Sequence, residues 1–301
     1  MASDERLTKT QRRDQARRKA AELRARQERE RRRNKIIGIG LLVVAVVAIG
    51  AGIFAVVKKS AEVDQNKERY ADAQAPTSAP DLTDVVVPKT GDAALAGIPI
   101  SSKGVGVVAD DGVVVHIYLD FICPHCAEFE RDQAASVQEV LTYDDVTVVY
   151  HAVALFDHWS EGTNYSSRAA NAVSVVADQD PDHFLAFVVA LMDPQTQPRA
   201  GTGGLTDAKI AQIAQQVGVP SSVTDQFTAT ADFQGVQLRT FVPWTLAVTQ
   251  TTPIDPVKNA PSTPAILING EHWYNRPGVK LADAVAAART PTTGGTTTGQ
   301  D

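Results

Sequence analysis

The chain has 301 residues, of which 44% are apolar and 21% charged, and only two are cysteines. This composition excludes a collagen-like or wholly disordered chain, and two cysteines exclude both a multi-disulfide framework and a four-cysteine zinc site. The net charge of −6 conceals a split, because residues 1–35 hold 14 basic and 6 acidic side chains, a balance of +8, while the remainder carries −14.

Residues 1–35 form a basic arm with runs such as Arg12-Arg13, Arg17-Arg18-Lys19 and Arg31-Arg32-Arg33. It has almost no aromatic or large apolar side chain to fold around. It therefore reads as a solvated, partly helical cytoplasmic arm that favours an anionic leaflet, and no nucleic-acid partner is expected. Residues 36–57 follow, 22 residues without a charge. A helix of that length covers about 33 Å, enough for a hydrocarbon core of about 30 Å. Glycines 38, 40, 50 and 52 would weaken a helix in water, but in lipid an unmet backbone group costs several kcal/mol and helix prevails. The rival reading is a cleaved signal peptide. Its apolar stretch is ordinarily about 7–15 residues long, and no small-residue cleavage site closes this one. The expectation is an uncleaved, single-pass transmembrane helix in the cell membrane. The basic excess before it, against Lys58 and Lys59 after it, keeps the N-terminus cytoplasmic and makes residues from 58 onward extracytoplasmic.

Residues 58–84 are polar and end in Ala75-Pro76-Thr77-Ser78-Ala79-Pro80, which reads as a helical stem passing into a linker. Residues 290–301, rich in Thr and Gly, are expected to be a disordered tail. Residues 85–289 are enough for one sizeable core and contain no internal repeat. Val105 to Val108 is a short apolar run, Asp110-Asp111-Gly112 a turn, and residues 113–119 a β-branched strand that is apolar on both faces, as in the centre of a sheet. From Pro124 to about Leu141 the pattern is helical, with proline at the helix start. Residues 146–150 form the next strand, which completes a β-α-β unit with parallel strands. Residues 166–250 read as mostly helical, with apolar faces through Ala169–Ala177, Phe184–Leu191 and Leu205–Val217. Residues 265–268 and 271–274, joined by Asn269-Gly270, form a hairpin, and a last helix runs from about Val279 to Arg289.

The chemistry concentrates in Cys123-Pro124-His125-Cys126, between the predicted central strand and the helix. A cysteine at a helix N-terminus meets free N–H groups and the positive end of the macrodipole, both of which favour its thiolate. The imidazole of His125 adds a second favourable contact, Pro124 fixes the turn without removing a needed N–H bond, and Cys126 lies one turn on, within disulfide reach. Stabilising the Cys123 thiolate stabilises the reduced form and makes the disulfide a stronger oxidant. Half of a zinc site is the first competing reading, but none of His116, His151, His158, His183 or His272 has ligand spacing to the pair, so no metal is expected. A purely structural disulfide is the second, and closing so short a loop gains little entropy. His116 reads as core packing, the His158-Trp159 pair as surface, and Trp244 and Trp273 as core.

The stretch from Phe121 to Glu130 resembles the active-site region of DsbA-like thiol:disulfide oxidoreductases of the thioredoxin superfamily, whose oxidising members carry Pro-His between the cysteines. Ser262-Thr263-Pro264-Ala265-Ile266-Leu267-Ile268-Asn269-Gly270 resembles the second signature of that family, a cis-proline before a strand and an Asn-Gly turn. Residues 165–172 resemble the first insertion helix of a membrane-anchored, actinobacterial-type subgroup. The departure is the proline-rich segment from Phe241 to Pro261. The resemblance implies an α/β, thioredoxin-like fold with a helical insertion over about 160–250, preceded by one transmembrane helix. It implies that Cys123, Cys126, His125 and Pro124 are catalytic and that Thr263 and Pro264, joined by a cis bond, bind substrate. It also implies a disulfide donor to exported protein thiols that needs no cofactor and is re-oxidised by a quinone-linked membrane oxidase of the DsbB or vitamin K epoxide reductase (VKOR) type. An exported reductase or isomerase with the same fold, and a redox-inert binding or chaperone module, are the alternatives.

Overall fold

The structure, a computed structural model, describes residues 9–289 apart from Thr77. The tail expected at 290–301 and the first eight residues of the basic arm lie outside the described residues. The chain divides into two compact units between Glu62 and Val63.

The first unit is helical. Helix α1 (Lys9–Arg69) runs without a break through the expected arm, span and stem. No proline interrupts it, and pairs one turn apart, such as Arg26–Glu30 and Lys58–Glu62, support its polar stretches. Between residues 36 and 57 the described large apolar side chains stand exposed, Leu42 and Val44 each at 66%. The helix is long and apolar enough to cross a membrane and is compatible with a single-pass anchor.

The second unit begins earlier than the sequence suggests. Residues 63–84, expected as stem and linker, pack onto the domain. Tyr70 and Ala73 are buried, and the guanidinium of Arg168 lies 4.1 Å above the Tyr70 ring. Arg239 Nε donates to Asp72 Oδ2 at 3.0 Å, and Gln250 Nε2 donates to the Pro80 carbonyl at 2.6 Å. All three partners lie more than 90 residues away in the chain, which is why local composition does not reveal the docking.

The core sheet is built from β1 (Ile98–Ser101), β2 (Gly104–Val105), β3 (Val113–Leu119) and, after helix α2 (Pro124–Val140), β4 (Val146–Ala152). The chain then enters the insertion: α3 (Tyr165–Gln179), α4 (Phe184–Met192), α5 (Asp207–Gln216), α6 (Ser221–Thr224), a hairpin of β5 (Thr230–Phe233) and β6 (Val236–Arg239), and α7 (Val242–Gln250). A small ribbon of β7 (Ile254–Asp255) and β8 (Ala260–Pro261) leads to β9 (Ala265–Ile268), β10 (Glu271–Trp273) and α8 (Leu281–Arg289). The six-stranded order is β10-β9-β3-β4-β1-β2. Strands β3 and β4 are parallel, and β9 is antiparallel to β3 with Tyr118 opposite Ala265. Asn269 and Gly270 both take positive φ, 50° and 86°, which the tight β9–β10 turn requires.

The expected β-α-β unit, helical insertion, hairpin and final helix are all present. Three elements differ from expectation. Strand β1, where no element was expected, is fully buried against β4 with Pro99 within it, whereas of the apolar run at 105–108 only Val105 lies in a strand. The β5–β6 hairpin lies in a region expected to be helical, and turns on Gln234 and Gly235, both at positive φ. The proline-rich segment after Phe241 resolves into helix α7, with Pro243 in its first turn, followed by the β7–β8 ribbon. The core is continuous from Ile98 through Val115, Ile117 and Phe129 to Tyr165, Phe187 and Val285.

Candidate active site

Strand β3 ends at Leu119, and Asp120, Phe121 and Ile122 carry the chain to Cys123, the N-cap of α2. Cys123 has extended backbone (φ −79°, ψ 116°), and its carbonyl accepts the first helical bonds from Cys126 N at 3.1 Å and Ala127 N at 3.4 Å. Pro124 opens the helix, where its missing N–H costs nothing. The antiparallel register of β9 on β3 carries Thr263 and Pro264 to the same end of the sheet. The Thr263–Pro264 peptide is cis, and Cys123 Sγ lies 3.4 Å from the Thr263 carbonyl oxygen. Thus Cys123, Cys126, Pro124, Thr263 and Pro264 gather in one place although 140 residues separate the two segments.

The two buried cysteines are electrostatically unequal. Hydrogen bonding from the Cys126 thiol, above all, holds Cys123 down to about 6, with further help from Thr263 and from the backbone N–H groups of Cys126 and His125. Burial pushes Cys126 well above the ordinary thiol value, and the neighbouring Cys123 sulfur raises it further. The imidazole of His125 is placed differently from expectation. It is exposed, and its Nδ1 lies 3.2 Å from Glu128 Oε2. What His125 directs at the Cys123 sulfur is its backbone N–H. The ring therefore stands at the exposed rim of the site.

That rim borders a groove of about 300 Å³ lined by His125, Glu128 and Asp132 on one side and by Asp255, Lys258, Thr263 and Pro264 on the other. Trp273 lines this groove and is only half-buried, whereas Trp244 is a core residue on α7. Among the described residues no three His, Cys, Asp or Glu side chains gather as a metal-binding group.

A family model described as thioredoxin matches residues 109–283, more than half of the chain. The chain belongs to this thioredoxin family. This thioredoxin-family chain is also 32% identical over 143 residues, 44% of its length, to a protein named serine/threonine-protein kinase PknE from Mycobacterium tuberculosis. It spans about a quarter of that relative's length (25%). Among solved structures it is similar to a reduced disulfide bond oxidoreductase (DsbG) from Mycobacterium tuberculosis, at 25% identity and TM-score 0.47, over 64% of this chain and 92% of that one. It is also similar to DsbA from Mycobacterium tuberculosis, at 24% identity and TM-score 0.47, over 65% of this chain and 100% of that one. The thiol-disulfide oxidoreductase MdbA from Actinomyces oris gives 21% identity and TM-score 0.49, over 68% and 90%.

Two further side chains hold the active-site loop of this thioredoxin-family chain. Asp120 is fully buried; its Oδ1 accepts from Ile122 N at 3.0 Å and from Ser166 Oγ at 2.6 Å, and its Oδ2 from Phe156 N at 2.8 Å. Burial raises its carboxyl to about 7 despite these donors. A lone acid at the end of an apolar strand was the available signal. Gln197 reaches the loop from the insertion, and nothing local in the sequence marks it.

Proposed function

We propose that this chain is a membrane-anchored thiol:disulfide oxidoreductase that donates a disulfide to exported proteins through Cys123-Pro124-His125-Cys126. The inequality of the two thiols is the observation that carries the reading. In the oxidised form a substrate thiolate attacks Cys123 Sγ, the Cys123–Cys126 bond breaks, and Cys126 leaves and takes up a proton. The second thiolate of the substrate then attacks the substrate sulfur of the mixed disulfide. Cys123 departs as a stabilised thiolate, the better leaving group because its pKa is low. Two electrons pass from the substrate thiols to the cysteine pair.

Thr263 and Pro264, beside Cys123 on the groove wall, fit a role in holding the substrate polypeptide next to the attacked sulfur. Helix α1 fits the role of an anchor, with the catalytic domain extracytoplasmic. Re-oxidation is assigned to a quinone-linked membrane oxidase of the DsbB or VKOR type, and the anchor would raise the effective concentration near that partner. The reduction potential of the full chain tests the reading. A value near −120 mV supports a disulfide donor, and one near −270 mV points to a reductase and sinks it.

A further inference from the structure

The turn after α4 brings one amide onto the active-site loop. Gln197 Nε2 lies 2.8 Å from the carbonyl oxygen of Cys123 and 3.4 Å from that of Phe121. An amide nitrogen carries two hydrogens, so both carbonyls can be served together. The Cys123 carbonyl is also the acceptor for Cys126 N and Ala127 N, the first bonds of α2. The amide is thus attached at the point from which the helix starts.

Gln197 is itself held in place. Gln197 N and Thr196 N both donate to the Asp193 carbonyl, at 2.8 and 2.9 Å, and Gln195 N donates to Asp193 Oδ1 at 2.7 Å. Thr196 Oγ1 donates back to the Ala190 carbonyl, and Gly201 N closes the segment onto the Trp159 carbonyl at 2.7 Å. Within the loop, the Asp120 carboxylate takes the Ile122 N–H. The Gln197 amide from the insertion and the carboxylate at the end of β3 therefore grip two peptide groups of one short segment, 121–122 and 123–124.

We propose that Gln197 is a positioning residue for the Cys123 nucleophile: its amide fixes the 121–123 backbone so that the first N–H groups of α2 converge on the sulfur. The proposal rests on the oxidoreductase reading. Without the amide, the two carbonyls lose their shared donor and the loop can rotate. The His125 and Cys126 N–H groups then point less directly at Cys123, the thiolate loses stabilisation, and the disulfide becomes a weaker oxidant.

The test uses the full chain with Gln197→Ala, Gln197→Glu and Gln197→Arg. Thiolate ultraviolet absorbance against pH gives the Cys123 titration, and equilibration with glutathione gives the redox constant. Gln197→Ala is expected to raise the Cys123 midpoint by about half a unit and to shift the glutathione equilibrium about threefold toward the disulfide form. Gln197→Glu, which keeps the size but turns a carboxylate toward two carbonyls, is expected to shift both further. Gln197→Arg, which restores a donor, is expected to return both toward the parent values. Variants that match the parent in titration and redox constant overturn the proposal, as does a loss of thermal stability alone. If the parent chain itself does not exchange with glutathione, the oxidoreductase reading fails instead, and the two failures are distinguishable.

Discussion

His116 and His151, on the adjacent parallel strands β3 and β4, share a hydrogen bond between His116 Nδ1 and His151 Nε2 at 2.9 Å. His151 Nδ1 lies 2.8 Å from the Ala96 carbonyl, which can only accept, so Nδ1 carries the proton of the neutral ring and Nε2 accepts from His116. The His151 ring also stacks on Tyr118 at 3.7 Å. His116 is therefore packed in the fold, one ring of a pair that ties β3 to the segment before β1.

The pair and three buried acids set opposite pH dependences. Burial lowers His151 to about 3 and also lowers His116. Their contribution is present above the unfolded value of about 6.5 and is lost as pH falls below it, since the unfolded chain then binds more protons. Burial raises Asp120 and Glu130 to about 7 and Asp157 to about 6. The folded chain holds these protons more tightly, so their contribution is present at acid pH and is lost as pH rises toward 7. Three acids outweigh two histidines in the shared window. In the disulfide form, in which neither cysteine titrates, the melting temperature is expected to rise as pH is lowered from about 7.5 to about 5, and to fall below about 4. Scanning calorimetry across that range checks this, and a steady fall from pH 7.5 to 5 would refute it. His151→Phe is expected to soften the acid limb.

Removing the Cys126 thiol takes away the largest stabiliser of the Cys123 thiolate. In Cys126→Ala the midpoint for alkylation of Cys123 is expected to move up from about 6 toward the ordinary thiol range. Mass-spectrometric alkylation rates against pH measure it. When offered a substrate disulfide, the same variant is expected to trap a mixed disulfide, because Cys123 attacks one sulfur, the other leaves as a thiolate, and no Cys126 thiol remains to release the product. An unchanged midpoint would mean that the pair is not coupled.

Asp120→Ala leaves the N–H groups of Ile122 and Phe156 without their acceptor in a buried pocket. Each unmet buried donor costs about 1–3 kcal/mol, so a loss of about 3–5 kcal/mol is expected in urea unfolding. Asp120→Ser, too short to reach all three donors, should fall between Ala and the parent. A loss below about 1 kcal/mol would show that the loop re-forms its bonds elsewhere.

Arg168 is fully buried and donates to Thr163 O, Leu205 O and Asp207 Oδ1, each at 2.8 Å, while its plane covers Tyr70. Asp207 is shared with Arg239, which also binds Asp72. Arg168→Ala removes the cation from this network and is expected to cost about 3–5 kcal/mol. Arg168→Lys should recover little, because an ammonium cannot make the forked bonds or stack on the ring. Limited proteolysis of residues 63–84 reports whether the stem has come loose; a stem that stays protected in Arg168→Ala would refute the network's role in holding it.

The sequence makes legible those features whose causes are local. The β-branched run at 113–119, Pro124 at a helix start and Asn269-Gly270 between two apolar runs each select one backbone state and are found there. Strand β1 carries no local signal of its own, being four residues long with a proline inside, and is set by pairing with Val148, Val149 and Tyr150. The site divides along the same line. The cysteines and their helix are contiguous, but Gln197, Ser166 and the Tyr70–Arg168 contact depend on how the insertion folds back, which no local pattern encodes.

The antiparallel pairing of β9 with β3 has a consequence for synthesis. Both cysteines leave the ribosome about 140 residues ahead of Thr263, and the amide of Gln197 follows Cys123 by 74. Until those segments arrive, Cys123 lacks the contact with Thr263 and the Gln197 amide on its carbonyl. A chain truncated before Thr263 keeps both cysteines but lacks one wall of the groove beside them, so the groove is completed late, with the closing hairpin.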